Sequence, residues 1–223
     1  NINNGKLPPE EAQHAARVLR LKTGDKIQLI DGKGTLAEAT VTTIDKRNCC
    51  YVIDQLNETE NPVSLINIAV SPTKSTDRLE WMLEKMVEIG VGTIYLIITD
   101  RTERNKLNQD RLQKKIVSAA KQSHKSYLPE IVVYQKFKDF LDKEDFDLKV
   151  MAHLIETERT YIGSVVDKNK STCVLIGPEG DFTEKELNAA MEKGYKSVTL
   201  GDFRLRTETA AVFATTIMNN ARY

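Results

Sequence analysis

The sequence predicts an α/β protein in two parts, a small β-rich module up to about residue 62 and a larger domain of alternating strands and helices. Three observations carry this. Short, wholly apolar runs such as TIYLIIT at 93–99 and TCVLI at 172–176 have the length and character of strands buried on both faces. Between such runs lie segments whose apolar residues recur with helical period, a rhythm that implies a mainly parallel sheet covered by helices on both faces. Before residue 62 the period is different: β-branched residues alternate on either side of Asp31-Gly32-Lys33-Gly34, a turn of hairpin type.

Residues 9–21 read as a helix, with acids in the first turn and bases in the last, as the helix dipole prefers. Strands are predicted at Lys26–Asp31, Thr35–Ile44 and Cys49–Leu56, making a module of barrel type. Asn57–Pro62, polar and closed by proline, reads as a linker. A strand follows at Leu65–Val70. The helix at Arg78–Ile89 buries Leu79, Met82, Leu83, Met86 and Val87, and Gly90 stands at its C-cap. After the strand at Thr93–Thr99 come a helix at Leu112–Ser123 and strands at Ile131–Tyr134, Leu148–Ala152 and Thr172–Ile176. Thr183 and Glu186 form a capping box for a helix running to Lys193. A strand at Ser197–Leu200 and a helix at Glu208–Asn219 complete the chain. That helix is apolar on more than one face, which calls for burial and suggests a homodimer.

The 223 residues carry 32 Lys+Arg against 32 Asp+Glu, with 40% hydrophobic and 29% charged residues. This excludes a disordered tail and a general nucleic-acid coat protein. Apolar runs such as Ala210–Ala214 are far short of the roughly 20 residues that cross a bilayer, so no membrane association is expected. Cys49, Cys50 and Cys173 have neither disulfide nor zinc-site spacing, and no metal constellation is visible. A reducing, cytoplasmic setting is expected. The N-terminus has no apolar stretch of signal-peptide type, and the absence of a starting Met suggests that residues precede it. The local charge is less even: Arg101–Lys125 holds Arg101, Arg104, Lys106, Arg111, Lys114, Lys115, Lys121 and Lys125 against Glu103 and Asp110. Such a stripe is either a solvated helix face or a phosphate-contacting surface.

In parallel α/β sheets, ligands bind at the carboxyl ends of strands. Two ends stand out. One is Ile176-Gly177-Pro178-Glu179-Gly180-Asp181-Phe182, where two glycines allow close backbone approach. The other is Leu200-Gly201-Asp202-Phe203-Arg204-Leu205-Arg206-Thr207-Glu208-Thr209-Ala210-Ala211, a loop with two arginines that enters a helix with small residues. Neither a dinucleotide fingerprint nor a phosphate-binding P-loop is present.

LIGPEGDFTEKEL at 175–187 followed by LGDFRLRTETAA at 200–211 closely resembles the signature of SPOUT-class RNA methyltransferases, and within them the RsmE family. His14–Arg20, Lys85–Val91 and Ser118–Ser123 resemble further stretches of that family, so the likeness spans almost the whole chain. There are departures. Asp181 stands where the family often has glycine, Arg204 is shifted from the usual register, and Lys121 replaces an acidic residue. The resemblance implies a PUA-like β-barrel over 1–62 and a SPOUT domain over 63–223 with a deep trefoil knot. It also implies S-adenosylmethionine as cofactor, a homodimer, and methylation of uridine nitrogen 3 in 16S ribosomal RNA, within the small subunit. Other readings are a SPOUT enzyme acting on transfer RNA or a 2′-hydroxyl, and a non-catalytic assembly factor on the same fold.

On that resemblance the cofactor is expected against Leu175, Ile176, Gly177, Pro178, Glu179, Gly180, Leu200, Gly201, Leu205, Arg206, Thr209 and Ala210. Catalysis is expected from Arg206, which would stabilise charge on the uracil ring, and Glu208, which either orients Arg206 or caps the last helix. The structural alternative for Arg206 is an ion pair with Glu208 or Glu179. RNA contacts are expected from Arg17, Arg20, Lys22, Arg101, Arg104, Lys114, Lys115 and Lys121. His153, at the end of a strand near the expected cofactor, is a candidate for the pocket lining.

Overall fold

The computed structural model describes residues 2–61 and 64–223. They divide into two compact units, one of residues up to 61 together with 124–128, the other comprising the rest.

The first unit holds helix α1 (Pro9–Arg17) and a three-stranded antiparallel sheet of β1 (Lys26–Ile30), β2 (Thr35–Ile44) and β3 (Cys49–Glu58) in the order β1-β2-β3. Isolated bridges extend the sheet at Lys6–Cys50 and Gly32–Tyr127. Ala12, Ala15, Val41 and Cys49 form its core. The expected linker begins late, because Asn57 and Glu58 still pair with Leu36 and Thr35; Pro62 lies outside the described residues. The helix predicted over 9–21 stops at Arg17. Arg20 has a φ of 54°, a left-handed backbone that no α-helix tolerates.

The second unit contains β4 (Ile66–Val70), α2 (Thr76–Ile89), β5 (Thr93–Ile97), α3 (Gln109–Gln122), β6 (Glu130–Tyr134), α4 (Phe137–Lys143) and β7 (Leu148–Ala152). It continues with β8 (Thr160–Tyr161), β9 (Thr172–Ile176), α5 (Glu184–Glu192), β10 (Lys196–Thr199) and α6 (Thr207–Asn220). The seven strands form one sheet in the order β6-β5-β4-β9-β7-β10-β8, and every pair is parallel. Strands β4 and β9 at its centre are buried along their whole length, as a sheet covered on both faces requires. Leu79, Met82, Leu83 and Met86 of α2 are fully buried, the stripe read from the sequence. The capping box of α5 is present, with the Glu186 carboxylate accepting from both the Thr183 backbone and hydroxyl at 2.9 Å. Helix α4 and the two-residue β8 have no counterpart among the predicted elements. Among the described residues no helix is long and apolar enough to cross a membrane.

Candidate functional site

Because β9 lies between β4 and β7, and β10 lies beyond β7, three strand ends open toward the same place. The turn after β9 (177–182), the loop after β7 (153–159) and the loop after β10 (200–206), with the start of α6, enclose a cavity of about 480 Å³.

The turn after β9 is tightly held. Asp181 has a φ of 61°, and its N–H closes the turn onto the Pro178 carbonyl at 2.9 Å. The Thr207 hydroxyl donates to the Gly177 carbonyl at 3.1 Å, joining α6 to the turn. Glu179 accepts from the Lys74 N–H at 3.1 Å. The Arg101 guanidinium donates to the carbonyls of Gly180 at 2.8 Å and Phe182 at 3.3 Å. A Cβ on Gly177 would sit 3.1 Å from the Phe182 ring, so this glycine makes room for the core rather than for a ligand. Gly201 is the converse: its φ is +135° and nothing lies within 4 Å of where a Cβ would be.

Of the residues expected around the cofactor, Ile176, Gly177, Pro178, Glu179, Leu200, Gly201, Leu205, Arg206 and Ala210 line the cavity. Leu175 does not. It is fully buried in the core cluster with Phe182 and Leu187. Gly180 packs on the Arg101 side chain, and Thr209 borders a neighbouring cleft with Asp77, Arg78, Trp81 and Glu208. Arg206 and Glu208 both line the main cavity. Arg206 occupies the N-cap position of α6 without a side-chain cap bond. Glu208 is paired with Arg78, Oε1 to Nε at 3.7 Å, and its buried Oε2 has no partner in the protein. Glu179 is engaged by the Lys74 backbone, so neither ion pair considered for Arg206 occurs among the described residues.

His153 is buried and lines the cavity, its Nε2 2.8 Å from the Ser197 hydroxyl. Burial holds its pKa below the usual imidazole value, against the opposing charge of Asp181. Sequence reasoning did not select Arg78, Leu154, Arg159 or Asp181, which also face the cavity. The strand-end rule, applied to β7, would have found Leu154 and Arg159. Nothing in the sequence marks Arg78.

The basic stripe is divided. Arg104 donates to the carbonyls of Thr73 at 3.1 Å and Lys74 at 3.0 Å, and Arg101 supports the turn. Arg111 and Lys115 pair with Glu80 and Glu84 of α2. Lys114 and Lys121 are exposed on α3, and Arg17, Arg20 and Lys22 are exposed on the first unit. Among the described residues no cluster of side chains suited to a metal ion occurs.

Comparison with known proteins follows the same division. The family model described as "RNA methyltransferase domain" matches residues 59–219, and "RNA methyltransferase PUA domain" matches 7–54. The crystal structure of a "probable rRNA-methyltransferase" from Porphyromonas gingivalis is 35% identical, with a TM-score of 0.92 over 99% of this chain and 94% of that one. The ribosomal RNA small subunit methyltransferase E of Neisseria gonorrhoeae, solved bound to S-adenosyl methionine, is 30% identical, with a TM-score of 0.86 over 96% and 90%. Ribosomal RNA small subunit methyltransferase E of Aquifex aeolicus is 30% identical over 92% of this chain and 89% of its own length.

Proposed function

The chain belongs to the RNA methyltransferase family of ribosomal RNA small subunit methyltransferase E, and on that premise we propose that it methylates ring nitrogen 3 of a uridine in 16S ribosomal RNA. It is an RNA methyltransferase that uses S-adenosylmethionine. The observation that carries the reading is the convergence of both motif loops, 177–182 and 200–206, on one cavity.

The residues present fit the cofactor. The volume lies within the range of small-molecule sites. The lining carries Glu179, Asp181, Asp202 and Glu208 against Arg78, Arg159, Arg204 and Arg206, which suits a ligand bearing both signs of charge. The unpartnered Glu208 Oε2 is a buried acceptor in want of a donor. From 202 to 205 the loop backbone makes no hydrogen bond among the described residues, which leaves N–H and C=O groups for an adenine edge.

Bound S-adenosylmethionine supplies an electrophilic methyl group on a sulfonium. The chain's own residues orient and stabilise. When a uridine N3 gives up its proton, negative charge spreads to the ring carbonyls, and the Arg206 guanidinium at the cavity wall meets it. Glu208 holds Arg78 beside the same wall. Residues 1–62 serve as the RNA-binding PUA-like part and 63–223 as the SPOUT part with its trefoil knot. The protein acts in the cytoplasm on the small subunit, as a homodimer. Trp81 of α2 and Phe213 of α6, apolar and 44% and 38% exposed, support that pairing.

Nucleoside mass spectrometry of small-subunit RNA from a deletion strain tests the reading. Loss of 3-methyluridine, restored by the wild-type gene, is expected; its persistence in the deletion strain overturns the assignment. Light-scattering mass at monomer size would remove the homodimer.

A further inference from the structure

The cavity has a wall that is tied to the opposite turn through the side chain of one residue, Asp181. Loop 153–159 contributes His153, Leu154 and Arg159 to the lining, yet Leu154, Glu156, Thr157 and Glu158 are exposed. Arg159 donates to the His153 carbonyl at 2.6 Å, which closes the loop on itself and does not anchor it. His153 is bonded to Ser197 and Ile155 packs on the core, which fix the loop to its own side of the cavity, and the link across to the turn at 177–182 comes from Asp181. Its Oδ2 accepts from the Leu154 N–H at 2.7 Å, and its Oδ1 accepts from the Phe182 N–H at 2.8 Å.

Asp181 does this from a backbone conformation that favours glycine, at a φ of 61°. Aspartate visits this region more readily than most residues, but not without strain. Glycine would relieve the strain and lose both bonds. The side chain present therefore provides something a strain-free turn would lack, a charge-assisted link between two cavity walls.

We propose that Asp181 is a positioning residue for methyl-donor binding, its carboxylate latching loop 153–159 to the turn at 177–182 so that the cavity is closed on that side before the ligand arrives. The proposal rests on the reading of this cavity as the S-adenosylmethionine site. A latch of this kind lowers the ordering cost of binding, since the wall is already in place. It also holds His153 at the cavity, between the Ser197 hydroxyl and the Asp181 charge.

The test uses the whole chain and two variants. D181G keeps the turn's backbone accessible and removes the latch; D181N keeps an oxygen able to accept from Leu154 and removes the charge. Calorimetry with S-adenosylmethionine should show about tenfold weaker binding for D181G, the scale of one charge-assisted hydrogen bond, and a loss of under about threefold for D181N. Without ligand, hydrogen exchange at 154–159 should quicken in D181G and not in D181N. The melting temperature of D181G should stay within about 2 °C of wild type, because relieved strain offsets the lost bonds. Equal affinities for wild type and D181G overturn the latch. So does an equal loss in both variants, which would assign the effect to charge alone. Wild-type protein that fails to bind S-adenosylmethionine overturns the reading of the cavity itself, a result distinct from the other two.

Discussion

Two loops face the same cavity and are built in opposite ways. The turn at 177–182 is tied at nearly every residue, to Lys74, Arg101, Leu154 and Thr207. The loop at 200–206 is anchored at its start, where the Thr199 hydroxyl bonds both backbone groups of Gly201. Beyond that it is exposed, with Phe203 88% accessible. The contrast separates two duties. A turn with its polar groups satisfied is a preorganised wall, whereas a loop with free backbone groups gains its partners from what it binds.

Arg206 offers the largest effect by which to break this comparison. If the open loop carries the chemistry, Arg206→Ala should lower the single-turnover rate about a hundredfold, with melting unchanged and cofactor affinity changed far less than the rate. Arg206→Lys should not restore the rate, because an ammonium lacks the planar fork. A near-normal rate in folded protein would remove Arg206 from the mechanism.

Next come the two glycines. Gly177→Ala drives a Cβ against the Phe182 ring and backbone and should cost about 2 kcal/mol in thermal unfolding. Gly201→Ala meets no atom and carries only the penalty of its positive φ, about 1 kcal/mol. Equal losses at the two positions would erase the distinction between packed turn and open loop.

A smaller effect is expected from His153. Its folded pKa lies below the usual value of about 6.5, so the unfolded chain takes up the proton first. The stability due to neutral His153 is complete above about pH 6.5 and is lost as the pH falls from there through the lowered folded pKa. His153→Gln should flatten the melting curve against pH in that window, and an unchanged slope would show that another group titrates there. Smallest of all, Phe203→Ala should shift stability by less than about 0.5 kcal/mol, as befits a side chain left almost wholly exposed.

The sequence made the two motif loops legible because each lies within one short stretch, read against a rule about strand ends. From the loop after β7 it offered only His153 and not Leu154 or Arg159, since the place of β9 between β4 and β7 is a fact of strand order and not of local pattern. Helix α4 escaped notice for a related reason. At seven residues it is too short to form on its own, and it exists because Phe140 packs between Tyr95 and Tyr134. The stripe of positive charge could not be resolved by counting, because charges do not reveal partners: Arg101, Arg104, Arg111 and Lys115 bond within the chain. Leu175 was placed at the site by its motif, but strand alternation turns it into the core.

The strand order also dictates when the protein can become whole. Ile66 of β4 pairs with Thr172 of β9, and Leu148 of β7 pairs with the same residue, so the middle of the sheet is filled by a late strand. As the chain leaves the ribosome, β4, β5 and β6 can associate early, but the inner edge of β4 stays bare until β9 emerges. Between the emergence of Val70 and that of Thr172 the nascent protein thus displays an apolar strand edge of the kind that invites aggregation. A chain broken off before Thr172 would keep that edge permanently, which makes premature termination in the middle of this sequence a hazard to the cell rather than a mere loss of product.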